Sequence, residues 1–220
     1  MKVALAQLNY HIGNFEDNTR KIIDTINVQK EAGADLVVFS ELSISGYPPR
    51  DFLEYPDFIN LCRDAVEKIA SHCQGIACIV CAPEANPRKE GKDLYNAAFF
   101  LSDGEIKQVV RKALLPTYDV FDEYRYFEPA HEFKCIDYKG KKIALTICED
   151  LWNFGDNPLY TVCPMDELIK EEPDFMVNIA ASPFDYNHDQ QRLIILSQNC
   201  RKYNIPLFYV NHIGAQTELI

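Results

Sequence analysis

Apolar residues along the chain fall into short unbroken runs, separated by stretches where they recur every three or four positions. That is the pattern of strands alternating with helices. Lys2–Leu8 (KVALAQL), Ala34–Ser40 (ADLVVFS), Ile76–Pro83, Phe175–Ile179 and Pro206–Val210 read as strands, and the uninterrupted apolar core of ADLVVFS predicts burial on both faces. Asn14 is placed to cap a helix over 15–31, with Ile22, Ile23, Ile26 and Val28 as its apolar stripe. Further helices are predicted over 57–72, 164–171 and 188–203. Leu94–Leu101 with Ile106–Arg111 around Asp103-Gly104, and Phe133–Asp137 with Lys142–Ile147 around Lys139-Gly140, read as hairpins. Strands alternating with helices, plus two inserted hairpins, predict a layered α/β domain with a mixed sheet or sheets. Neither a repeat nor a linker divides residues 1–220, so one domain is expected.

Composition narrows the function classes. A chain of 220 residues, 47% hydrophobic and 25% charged, has enough apolar material for one substantial core. Its formal net charge of −11, with no Lys/Arg cluster interleaved with aromatics, disfavours nucleic acid as a partner. No stretch approaches the roughly 20 apolar residues that span a bilayer, so no membrane partner is expected. The opening MKVALAQLNYHIGN lacks the apolar length and cleavage site of a secretory signal, and a cytoplasmic protein is expected. The eight cysteines are then expected as reduced thiols. His72, Cys73, Cys78 and Cys81 have a spacing that evokes a metal, but Cys78 and Cys81 lie inside the apolar run IACIVCAPE and read as small buried hydrophobes, so no metal site is assigned. The closing GAQTELI ends on apolar residues without a cap or a polar tail, and the chain is expected to be a piece of something longer.

Chemistry in α/β sheets gathers where strands end. Glu41 directly follows ADLVVFS, where partial desolvation raises a carboxylate toward the range useful for a general base; a solvated loop acid is the plainer reading. Lys112 follows the strand ending at Arg111 and precedes an apolar, Pro-containing loop; taken alone, a surface lysine is the plainer reading. Cys148 ends the apolar run KKIALTI and opens a polar turn, the placement of a nucleophile elbow. Turn amides and a lysine nearby would lower its thiol pKa; a buried, inert thiol is the alternative.

Taken together, AQLNYHIGNFEDN, VVFSELSISGYPPRD around Glu41, RKALLPTYDVFDEYRYFEPA around Lys112 and ALTICEDLW around Cys148 resemble the nitrilase, or carbon–nitrogen hydrolase, superfamily over essentially the whole chain. SGYPPRDFL and CEDLW are most similar to the glutaminase domains of glutamine-dependent NAD⁺ synthetases. The resemblance implies a four-layer α-β-β-α sandwich with mixed sheets, incomplete at its C-terminal end. It implies Cys148 as nucleophile, Glu41 as proton shuttle, and Lys112 with the Glu149 backbone N–H as oxyanion donors. One such donor is worth about 3–4 kcal/mol, so Lys112→Ala is expected to cripple activity while leaving the fold intact. Glu123 takes the place of the acid that orients the lysine, and Tyr118, Glu149 and Ser182 stand where the substrate is held. Where the family often has a Gly and then a basic residue after SPF, this chain reads SPFDYNHDQQR, with His188 in the basic position and Arg192 one helical turn on. How a substrate α-carboxylate is neutralised is therefore open. The implied partners are glutamine, a synthetase domain of the same longer protein and a second copy of the chain. With no Gly-rich phosphate loop here, no cofactor is assigned to this chain, and ATP and Mg²⁺ are expected only for the missing synthetase domain.

Other readings stay open at this level. The five histidines (11, 72, 131, 188 and 212) allow a papain-like Cys–His hydrolase. The same superfamily also admits another small amide, a nitrile or a carbamoyl compound as substrate, or a non-catalytic assembly domain with a vestigial site.

Overall fold

The computed structural model describes residues 1–154, 159–186 and 188–216, with residues 188 and 189 described in their backbone only. Among these residues, nine strands form two mixed sheets. In the first, β1 (Val3–Ala6), β2 (Leu36–Phe39) and β3 (Ala77–Ala85) run parallel, and β4 (Leu94–Ser102) and β5 (Glu105–Arg111) return antiparallel. In the second, β6 (Ile136–Tyr138) pairs antiparallel with β7 (Lys141–Ile147), which is followed in parallel by β8 (Phe175–Ala180) and β9 (Leu207–Asn211). Both predicted hairpins form, and each turns on residues of positive φ: +54° and +82° at Asp103-Gly104, +47° and +72° at Lys139-Gly140. A two-residue turn needs that pair of conformations if its twist is to match the strands.

Side-chain alternation divides the sandwich into layers. Along β7, Ile143, Leu145 and Ile147 enter the core shared with the first sheet, whereas Ala144 joins a separate outer cluster. Along β8, Phe175, Val177 and Ile179 face inward while Met176 faces out. That outer cluster is covered by α4 (Pro164–Leu168) through Met165 and Leu168, and by α5 (His188–Tyr203) through Leu196, Cys200 and Tyr203. On the opposite side, α1 (Phe15–Glu31) and α2 (Pro56–His72) cover the first sheet, burying Ile22 and Ile26 from one helix and Phe58, Cys62, Val66 and Ile69 from the other. The result is the four-layer α-β-β-α arrangement.

The differences from the expected elements have local causes. Asn14 does cap α1, accepting a hydrogen bond from the Asp17 N–H, but Val28 is 58% exposed. Two positions beyond Ile26 it has rotated about 200° away, and Asn18 and Thr19 complete the buried face instead. The segment expected as strand from Phe133 is paired only from Ile136, because the register with β7 ends at Ile143. The helix expected over 164–171 splits at Leu168 into a 3₁₀ turn, Ile169–Glu171, that stops at the left-handed Glu172. Short 3₁₀ turns at Arg50–Glu54 and Cys148–Leu151, and the one-turn helix α3 (Glu123–Tyr126), have too few residues to leave a periodic signature.

Candidate active site

Three strand ends converge. Glu41 stands two residues beyond β2, Lys112 directly beyond β5 and Cys148 directly beyond β7, and they are 1%, 0% and 6% exposed. The Lys112 ammonium donates to Glu41 Oε1 at 2.7 Å and to both oxygens of Glu123, at 2.8 and 2.7 Å. Glu123 heads α3 and also accepts from the Tyr47 hydroxyl at 2.9 Å. Glu41 receives two further donors, Asn96 Nδ2 of β4 on Oε1 at 2.8 Å and the Ala181 backbone N–H on Oε2 at 3.0 Å. Cys148 and Leu42, which follows Glu41, both have φ of +44°. Non-glycine residues hold that conformation only where the surroundings impose it. At Cys148 the imposing contacts are Asn178 Nδ2 on its carbonyl, at 3.3 Å, and the 3₁₀ turn that it opens. The loop after Glu41 depends on Gly46, where φ is +77° and an added Cβ would lie 2.6 Å from the Ile12 backbone nitrogen.

Burial governs the electrostatics. Desolvation alone would lower the Lys112 pKa, but the carboxylates of Glu123 and Glu41 override it and hold the group well above the ordinary lysine value. Burial pushes Glu123 up to about 7 against the pull of Lys112, with Glu41 adding to the rise. Burial also raises the Cys148 thiol well above its ordinary value, and the Glu41 charge raises it further while Lys112 acts in the opposite direction. The expectation of a lowered thiol pKa is therefore reversed. The lysine is present, but it faces two carboxylates, and the sulfur is desolvated. The expectation that Lys112→Ala spares the fold is corrected for the same reason: removing the one ammonium would strand two buried carboxylates.

The next turn of chain joins these strand ends and opens a second cluster. Asp150, buried and raised to about 6 by desolvation, accepts the Ala113 and Leu114 N–H groups on Oδ1 and the Ile147 N–H on Oδ2, so it ties the segment after Lys112 to the strand before Cys148. Glu149 points the other way. Tyr118 donates its hydroxyl to both Glu149 oxygens, at 2.9 and 3.0 Å, and Tyr160 donates to Oε1 at 3.1 Å. Desolvation raises the pKa of Glu149 and of both tyrosines, so the hydroxyls stay protonated donors. Ser182 Oγ accepts from Arg192 Nη2 at 3.0 Å, and its backbone is clamped by Asn211. Ser182 lines a cleft with Tyr47, Ala181, Pro183 and His212. His188 begins α5, and its side chain lies outside what the structure describes.

The structure thus brings Glu41, Lys112 and Glu123 into one bonded cluster with Cys148 in electrostatic contact, and gathers Tyr118 with Glu149 beside it. Sequence reading missed Asn96, Tyr47, Asp150 and Tyr160. Asn96 had left a signal, a lone amide inside the apolar run LYNAAFFL. Asp150 and Tyr47 sat inside quoted motifs without being singled out, and Tyr160 lies in a loop with no pattern. The cysteines at 73, 78 and 81 are free and buried, and among the described residues no group of His, Cys, Asp and Glu is placed to hold a metal ion. Nor, among the described residues, is any histidine ring hydrogen-bonded to Cys148; the half-buried His212 instead accepts the Tyr10 N–H at 3.2 Å. No helix among those residues is long and apolar enough to cross a membrane.

Comparison with known proteins places this geometry in context. A family model described as carbon-nitrogen hydrolase matches residues 2–156. The glutamine-dependent NAD(+) synthetase of Synechocystis sp. is 39% identical over 99% of this chain, and that of Thermotoga maritima is 37% identical over 100%. The chain spans about 40% of the length of these curated relatives. Among solved structures, glutamine-dependent NAD⁺ synthetase from Acinetobacter baumannii, in complex with ADP, superposes with a TM-score of 0.88 at 34% identity, over 99% of this chain and 39% of that one. The amidase from Nesterenkonia sp. AN1, in a form showing Michael addition of acrylamide at its active site cysteine, matches with a TM-score of 0.82 at 20% identity, over 100% of this chain and 82% of that one, and shares the fold.

Proposed function

Since the chain belongs to the carbon–nitrogen hydrolase family, we propose that it hydrolyses the side-chain amide of glutamine through a thioester on Cys148. The observation that carries this reading is the buried Glu41–Lys112–Glu123 cluster beside a strained cysteine. Glu41 Oε1 is occupied by Lys112 and Asn96, whereas Oε2 has the Ala181 N–H alone and keeps a lone pair for a proton. The thiol rests protonated, so its proton passes to Glu41 as sulfur attacks the amide carbon. Lys112 and the Glu149 N–H hold the oxyanion that forms. Glu41 returns the proton to the leaving nitrogen, the C–N bond breaks, and ammonia departs from a thioester. Water then attacks the thioester, giving a proton to Glu41; the C–S bond breaks, and glutamate leaves as the sulfur regains its proton.

Recognition of glutamine follows the second cluster. Glu149, oriented by Tyr118 and Tyr160, takes the α-ammonium group. Arg192, bonded to Ser182, supplies the cation for the α-carboxylate, with His188 beside it in sequence. The ammonia serves an ATP-dependent NAD⁺ synthetase domain of the same longer protein, and ATP and Mg²⁺ belong to that domain; the names and lengths of the relatives support this. A cytoplasmic setting is supported by eight free cysteines. Pairing of two copies is supported by Leu193 and Ile194, which α5 exposes at 67% and 55%. The direct test is mass spectrometry after incubation with a diazo-ketone analogue of glutamine. One adduct, on Cys148 and prevented by excess glutamine, is expected; labelling elsewhere, or none in folded protein, would defeat the proposal.

A further inference from the structure

Asn96 is fully buried at the centre of the catalytic cluster. It reaches Glu41 from β4, a strand that supplies no other group to the site, and meets the same oxygen as Lys112. The cluster has two carboxyl groups and one ammonium, so with both acids ionised it is one positive charge short. Neutral donors must make up part of the difference, and among the described residues Asn96 is the one neutral side-chain donor to Glu41.

The orientation of the amide is fixed from behind. Cys81 of β3 lies opposite Ala98, close to Asn96 on the neighbouring strand, and its sulfur donates to Asn96 Oδ1 at 3.2 Å. A carboxylate only accepts, so the amide NH₂ must face Glu41 and the amide oxygen must face the thiol. Burial raises the Cys81 thiol well above its ordinary value, with Glu41 adding to the rise, so the S–H donor persists across the working pH range. The Asn96 backbone carbonyl meanwhile accepts the Lys112 backbone N–H at 2.9 Å. One residue thereby registers the base and the lysine against each other.

We propose that Asn96, oriented by the Cys81 thiol, is a positioning residue that pins Glu41 by its Oε1 and turns its Oε2 toward Cys148. Hydrogen bonds to the ionised form stabilise that form. Without this one, the Oε1 side of the carboxylate is unpinned, and Cys148 loses its proton acceptor at the acid end of the pH range. The inference rests on the reading of Glu41 as proton acceptor for Cys148, though not on glutamine being the substrate.

The test is therefore made without an amide substrate. In the intact protein, the rate of carbamidomethylation of Cys148 by iodoacetamide is followed by peptide mass spectrometry from pH 4.5 to 8.5. The variants are Asn96→Leu, the near-isosteric Asn96→Asp, Cys81→Ala and Glu41→Gln. The acid-side midpoint is expected to rise by about one pH unit in Asn96→Leu. That is about tenfold slower labelling below the wild-type midpoint, converging with wild type at high pH. Asn96→Asp, which places a second acid against Glu41 and keeps the packing if the leucine does not fold, should move it further. Cys81→Ala should move it in the same direction by less. Equal loss at every pH, or unmoved midpoints in both Asn96 variants, would overturn the proposal. Glu41→Gln should abolish the acid limb; if it does not, the reading of Glu41 as base falls and this inference with it.

Discussion

The two carboxylate clusters of the site are both held by hydrogen bonds of similar length, yet they differ in what supplies the donors. Around Glu41 and Glu123 the donors come from strand ends or from residues buried against them: Lys112, Asn96, Tyr47 and the Ala181 N–H. Around Glu149 the donors are two tyrosines on loops, and Tyr118 is 40% exposed. A proton must be carried to a fixed place, and strands that cannot move without breaking a sheet suit that task. A substrate must enter and leave, which suits side chains that water can reach. On the proposed function, chemistry is rigid on one side of Cys148 and recognition is accessible on the other.

The strongest way to break the rigid side is Lys112→Ala. Loss of the oxyanion donor should cut ammonia release by about 10²–10³-fold. The two stranded carboxylates should cost about 3–5 kcal/mol of stability, read from urea unfolding. A variant as stable as wild type would mean that the cluster is not the buried, mutually dependent unit described. Asp150→Asn comes next. It presents an amide NH₂ where the carboxylate accepted backbone N–H groups from both the Lys112 and the Cys148 segments. A loss of about 1–3 kcal/mol is expected for the donors left unpaired, and a neutral result would show that the strap bears no load.

A smaller effect is the pH dependence that Glu123 imposes. Its pKa in the folded protein, about 7, lies above the ordinary 4.5. The folded state therefore binds the proton more readily than the unfolded one. The associated stability is full below about pH 4.5 and is lost as pH rises through about 7. Glu123→Gln cannot titrate, so its stability curve should be flatter than that of wild type by about 1–2 kcal/mol between pH 5 and 7.5. Parallel curves from thermal unfolding at four pH values would contradict the assignment.

What was legible in the sequence divides along the same line. Strands end abruptly where a charged residue follows an apolar run, so Glu41, Lys112 and Cys148 stood out, and the matching motifs ordered them. The alternation of strands and helices was legible because burial imposes a period of two on strands and three to four on helices, whereas the number of layers came from the family resemblance. Asn96 was hard to find because a buried amide inside a strand looks like a flaw in the apolar pattern until its partners, 55 residues away at Glu41 and 15 away at Cys81, are known. Tyr160 was not legible at all, since its role depends on a loop folding back onto Glu149. The direction of the Cys148 pKa was misjudged because a neighbouring lysine can be inferred from motifs, whereas desolvation and the balance of two acids against it depend on packing.

The recognition side can be sharpened with the mildest substitution, Tyr160→Phe. Glu149 Oε1 carries both tyrosine hydroxyls and Oε2 only one, which leaves Oε2 the more open oxygen for an ammonium group. The Tyr160 ring packs against Ala113, Leu114 and Ala130, and phenylalanine keeps that packing, so removing the hydroxyl alone should leave the bond-breaking groups in place. It would remove one donor from a carboxylate that burial already disfavours as an ion. The expected result is a KM for glutamine raised about 3–10-fold, or about 1 kcal/mol, with kcat nearly unchanged. An analogue of glutamine lacking the α-ammonium group should show no difference between wild type and variant. If kcat fell while KM held, or if the analogue suffered equally, Tyr160 would belong with the rigid cluster, and the division between fixed chemistry and accessible recognition would have to be redrawn with Glu149 on the catalytic side.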